Sequence, residues 1–162
     1  MAEVVVRKSE SFWDQIQKME ERVMRRAHDI FRGSGSAFGK DLDNWLAAEG
    51  ELIWKPAIEL KEKDNAFELK IDVAGVDPKD LKVEVTADDL LVKAETQSEQ
   101  KKEEKGEVHV SEFHAGSLFR SVHFPKKVNP DKVKAELKNG LLTLTAAIAE
   151  EARAKKVDIQ AA

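Results

Sequence analysis

Residues 135–144 read AELKNGLLTL, with Asn139-Gly140 at the centre. Before that pair, Ala135 and Leu137 alternate with Glu136 and Lys138; after it come Leu142, Leu144 and Ala146. Alternation with a period of two marks a strand with one face in a core. Asn-Gly between two such runs is a strong hairpin signal, because both central residues of the tight turn need a positive φ. For Gly140 this structural role is sufficient explanation. The stretch therefore predicts an antiparallel pair with a defined register.

The same alternation recurs upstream. Phe67, Leu69, Ile71 and Val73 alternate with Glu68, Lys70 and Asp72; Leu81, Val83 and Val85 alternate with Lys82 and Glu84. Leu90-Leu91-Val92 reads as another strand, and Val108 and Val110 as a short one. Phe119, Val122 and Phe124 mark a longer one, stopped by Pro125. Short strands divided by turns, with no helices between them, predict a mainly β fold, an antiparallel β-sandwich over residues 55–148. Residues 95–111 interrupt it as a long charged loop whose length points to function or mobility rather than a tight turn.

Residues 1–54 have another character. All three Trp and all three Met lie there. Phe12, Ile16, Met19, Val23 and Ile30, with Ala27 between, form one apolar stripe at helical spacing. Ser11 is positioned as an N-cap, with Asp14 three residues on as an imperfect capping box. Gly33, Gly35 and Gly39 break the helix, and Phe38, Leu42, Trp45 and Leu46 form a second apolar group. The expectation is a partly helical, loosely organised arm. Residues 149–162 form a charged linker and a tail, in which Val157 and Ile159 stand at strand spacing with no obvious core to serve.

Composition narrows the function. The net charge is −4 and no basic domain or arm is present, which argues against nucleic acid. Cysteine is absent, removing disulfides, thiol catalysis and cysteine-ligated zinc. No secretory signal and no run of the ~20 apolar residues that span a membrane are visible. A soluble, cytoplasmic protein is expected.

Catalytic patterns are weak. The histidines His28, His109, His114 and His123 show no i, i+4 pair with a flanking Glu. Ser117 and Ser121 lack a G-x-S-x-G context. The glycines 33, 35 and 39 lack the strand and the Lys-Ser/Thr ending of a phosphate loop. Carboxylates fall at the polar positions of alternating strands, as on a solvated face. No enzyme, metal site or cofactor is expected.

AELKNGLLTL resembles the A-x-x-x-N-G-L/V-L signature of the α-crystallin domain of small heat-shock proteins. WKPAIELKEKDNAFELKIDVAGVDPKDLKVEV (54–85) is similar to that domain's opening strands, with Ala74-Gly75-Val76 at the usual L-P-G turn. FHAGSLFRSVHFP (113–125) resembles the G-x-F-x-R-x-F-x-L-P segment more loosely, with Leu118 beside Phe119 and Val122 where an aromatic is common. Arg120 falls at the family's arginine, and Val157-Asp158-Ile159 matches its I/V-x-I/V tail. The resemblance covers roughly residues 55–159.

It implies an immunoglobulin-like sandwich in an ATP-independent holdase, a stress-response chaperone that binds unfolding proteins and forms homo-oligomers. Dimers would exchange the strand Val108, His109, Val110, with Arg120 at the interface. Val157 and Ile159 would enter a groove of Leu81, Val83, Val85, Ala135 and Leu137 on a neighbour. The arm, through Phe12, Trp13, Ile16, Met19, Val23, Phe31, Phe38 and Trp45, would contact clients. Plainer readings remain beside these: an amphipathic helix packed on its own sandwich, a surface strand charge at Arg120, and ordinary core for the groove residues. The competing function is a co-chaperone or adaptor module with one dedicated partner.

Overall fold

The computed structural model describes residues 2–9, 12–36, 38–94, 106–107, 109–110 and 116–161. The alternating segments form two five-stranded sheets packed face to face, a mainly β sandwich. The first sheet runs β1 (Ala2–Val4), β9 (Val128–Lys138), β10 (Leu141–Ile148), β5 (Ala66–Asp72), β4 (Ile58–Lys63). The second runs β2 (Val6–Lys8), β6 (Lys82–Val85), β7 (Asp89–Ala94), β8 (Ser117–His123), β3 (Ile53–Trp54). Pairing is antiparallel except at β2–β6 and β3–β8, which are parallel.

The hairpin expected from Asn139-Gly140 is present. Lys138 pairs with Leu141, leaving two loop residues, with φ 51° at Asn139 and 77° at Gly140. Two successive positive φ values define the primed turn that follows the twist of paired strands. A Cβ on Gly140 would lie 3.0 Å from the Ala74 Cα, so side-chain space is closed as well. A second such turn joins β4 to β5 at Asp64 and Asn65, φ 54° and 58°, between the partners Lys63 and Ala66. It uses no glycine and escapes the usual signal; Asp and Asn tolerate the left-handed region better than other side chains.

The inner faces carry the predicted apolar set. Phe67, Leu69 and Ile71 of β5, Leu90 and Val92 of β7, Leu118 of β8, and Leu142 and Leu144 of β10 are all buried in one cluster. Phe67 and Phe124 stack with centroids 5.6 Å apart. Each such side chain stabilises by about 1.5–3 kcal/mol relative to exposure. Leu91 is buried yet lies outside that cluster, on the opposite face of β7. That explains why Leu90-Leu91-Val92 shows no alternation: both faces of β7 are covered. Pro130 is tolerated within β9 because the pairing with β10 is irregular there, shifting between Ala146 and Ile148.

Two helices precede the sandwich, α1 (Trp13–Gly33) and α2 (Asp41–Leu52). Gln15 of α1 donates to Glu84 of β6 at 2.7 Å and accepts from Lys93 of β7, which lays α1 across the outer face above Leu91. The Arg26 guanidinium clasps the Glu51 carboxylate, Nε–Oε2 2.6 Å and Nη2–Oε1 3.3 Å, joining α1 to α2. The arm expected to be partly helical has its two helices, and its described residues also supply β1, β2 and β3. Three-residue strands carry too little periodicity to be read alone, and pairing with the sandwich sets their conformation. Ser11, read as the N-cap, lies outside the described residues; Phe12 occupies the cap position and makes no side-chain cap bond.

Candidate functional site at the open edge of the sandwich

β6 and β9 flank one side of the sandwich, and between them lies a groove floored by Leu81, Val83, Val85, Ala135 and Leu137. All five are buried and belong to the core cluster. The alternation of β6 and β9 turns these side chains inward, while β6 and β9 leave main-chain donors and acceptors along their outer edges. Such edges invite an added strand.

Residues 2–8 fill that invitation. Ala2 lies opposite Leu137 and Val4 opposite Ala135, antiparallel to β9. Two residues later the same segment crosses to the other sheet, with Val6 opposite Val83 and Lys8 opposite Val85, parallel to β6. Ser9 then donates its amide to the Val85 carbonyl at 2.8 Å. The Val4 side chain is 5% exposed and part of the core cluster, Val6 packs against that cluster, and Val5 between them is 74% exposed. Lys8 pairs with Asp131 at the end of the groove. Sequence reading singled out these five residues but not the segment that lies against them. The signal existed: Val4 and Val6 repeat the one-residue spacing of Val157 and Ile159.

The tail itself is unpaired with either sheet. After β10, a short turn at Glu150–Ala152 is held by Arg153 Nε donating to the Ile148 carbonyl at 3.2 Å. Beyond it the described chain is extended, with Val157 79% and Ile159 93% exposed.

The remaining predicted residues are scattered. Val108 lies outside the described residues, as does His114; His109 and Val110 are exposed and belong to neither sheet. Arg120 is half-buried and lies opposite Val92, hence on the core-facing side of β8 between Leu118 and Val122. No carboxylate lies within ion-pair distance of it among the described residues. Of the arm residues, Phe12, Met19 and Val23 are buried, Ile16, Phe31 and Trp45 half-buried, and Trp13 and Phe38 exposed. Phe31 and Phe38 approach with centroids 6.2 Å apart across the break after α1. Beside the pairing of β3 with β8, a polar tie joins α2 to the chain just after β3: Glu49 accepts from Lys55 Nζ at 2.7 Å and from Trp45 Nε1 at 3.2 Å. The Lys55 bond, ahead of the Lys55 charge and the Trp45 bond, holds the Glu49 carboxyl below the ordinary carboxylate range.

Among the described residues no group of three or more His, Asp or Glu could hold a metal ion, and no helix is long and apolar enough to cross a membrane. What the geometry shows is a β-sandwich along one edge of which the chain's own residues 2–8 are seated as short added strands.

Comparison with known proteins agrees. The model of the Hsp20/alpha crystallin family matches residues 59–160. The chain is similar to spore protein SP21 of Stigmatella aurantiaca, 32% identical over 91% of this chain and 81% of that one. It is similar to small heat shock protein C2 of Rickettsia felis, 30% identical over 70% and 72% of the two chains. Among solved structures it resembles heat shock protein 16.0 of Schizosaccharomyces pombe, with TM-score 0.56 and 29% identity over 66% of this chain and 99% of that one. The chain belongs to the Hsp20/alpha crystallin family, the small heat-shock proteins, and that membership supports a chaperone role.

Proposed function

We propose that this protein is an ATP-independent holdase of the cytoplasm, which captures unfolding proteins and assembles through dimers into larger homo-oligomers. The observation that carries the reading is the groove between β6 and β9. It already takes an apolar-x-apolar segment across both sheet edges, while a second segment of that pattern, Val157-Asp158-Ile159, is exposed. A neighbour's tail in such a groove buries two side chains, about 1.5–3 kcal/mol each. Ordering its backbone costs about 1–2 kcal/mol per residue. Added main-chain hydrogen bonds contribute about 1 kcal/mol each. One tail is therefore near balance and exchanges, whereas many tails in one particle reinforce each other through effective concentration. Stress shifts such a population towards smaller species with more apolar surface.

Client contact falls to the arm. Trp13 and Phe38 are exposed, and Met24, Leu42 and Leu46 extend the apolar surface of the two helices. Met and aromatic side chains adapt to many partners. Strand exchange through residues 108–110, with Arg120 near the contact, remains part of the proposal. The test is heat-induced aggregation of several unrelated clients without nucleotide. Suppression at near-stoichiometric ratios is expected. Unchanged aggregation of every client overturns the holdase reading.

A further inference from the structure

Near the two ends of the sequence stand segments of one pattern, and one groove is described for them. Val4-Val5-Val6 is seated; Val157-Asp158-Ile159 is exposed. In reverse order the tail, Ile159-Asp158-Val157-Lys156-Lys155, repeats the residue classes of Val4 to Lys8: apolar, any, apolar, basic, basic. Both segments therefore offer two branched apolar side chains to the floor and a basic flank to Asp131, which already pairs with Lys8. Both also need the same β6 and β9 main-chain groups, because Ala2 to Ser9 uses those edges along its length. Two strands cannot occupy one edge.

We infer that residues 2–8 are an internal plug, which must leave the groove before the tail of a second copy can dock. The plug gates assembly: seated, it keeps a subunit from accepting a tail; released, it frees the groove. Its hold is suited to release. β1 and β2 are three residues each, only Val4 is deeply buried, and the Lys8–Asp131 pair is exposed and sensitive to salt. The inference rests on the groove being the tail's docking site, as proposed above.

The experiment uses the full chain carrying Val157→Gly and Ile159→Gly, so that its own tail is silent, and a labelled peptide of residues 153–161 read by fluorescence anisotropy. Three forms are compared. The first is that parent. The second adds Val4→Gly and Val6→Gly to release the plug. The third adds Val4→Cys and Ala135→Cys, which in a chain without cysteine forms a single lock. Releasing a competitor that keeps the groove mostly closed is expected to tighten peptide binding about tenfold or more. The oxidised lock is expected to abolish binding and a reductant to restore it. This arm keeps the plug seated and needs no glycine at Val4 or Val6, so it decides the matter if the glycine form is poorly folded. Equal affinity in parent, released and locked forms overturns the plug while leaving tail docking in place. Failure of the peptide to bind any form, including the reduced lock and a folded released form, overturns tail docking itself and the plug with it.

Discussion

Val4 lies directly opposite Ala135, in antiparallel register with β9, and its side chain is buried in the same core cluster as Leu81, Val83 and Leu137. A residue 131 positions away in sequence thereby completes the sandwich edge. On this side of the sandwich β6 and β9 are accordingly not bare: main-chain groups that would attract another chain are met by the protein's own segment.

The turn at Gly140 sets the register of β9 against β10, and hence which side chains of β9 face the groove. Gly140→Ala places a Cβ at positive φ and against Ala74. The left-handed conformation alone costs about 1–2 kcal/mol for an L side chain. Urea unfolding is expected to show a lower midpoint with an unchanged slope. Wild-type stability in this variant would contradict the role assigned to the turn.

The stacked pair Phe67–Phe124 is buried between the sheets. Phe67→Ala leaves a cavity there and is expected to destabilise by about 3–5 kcal/mol. Phe67→Leu should recover most of that loss, since it keeps apolar volume. Thermal unfolding of both variants checks the order; equal losses would show that packing at this point is not what matters.

Gln15 makes a polar tie between α1 and the outer face of the second sheet, bonded to Glu84 and Lys93. Gln15→Ala removes two bonds of about 1 kcal/mol each at a half-buried site. Limited proteolysis should cut the α1 region faster while the sandwich stays resistant. An unchanged cleavage rate would mean that contacts other than those of Gln15 hold α1 in place.

Much of the sandwich was legible because its strands bury one face: the alternation of Phe67 to Val73, Leu81 to Val85 and Ala135 to Leu144 reports geometry directly. Leu91 broke the pattern because α1 covers the outer face, a tertiary event with no local signature. The Asp64-Asn65 turn was hidden because it lacks glycine. The groove residues were legible as an apolar set, and the tail as spacing. The plug was not: Val4-Val5-Val6 is three apolar residues whose strand form depends on β6 and β9. Residues 108–110 gave a strand-like pattern, yet His109 and Val110 are exposed in the single chain and in neither sheet.

Glu49 ties Trp45 and Lys55 where α2 meets β3. Its carboxyl is held below its ordinary value, so its contribution is present above the usual glutamate range, near about 4.3, and is lost as pH falls through the lower folded value. With Trp13→Phe and Trp54→Phe, Trp45 emission should report a transition on acidification, below that range. Lys55→Met removes the main cause of the shift and should move the transition upward. A midpoint indifferent to Lys55 would contradict this assignment.

The central claim is that exposed Val157 and Ile159 join subunits through the β6–β9 groove. Native mass spectrometry of the intact protein and of Val157→Gly/Ile159→Gly tests it most directly. The account predicts large oligomers for the intact chain and dimers, or smaller species, for the variant. An identical oligomer distribution in the two would contradict it.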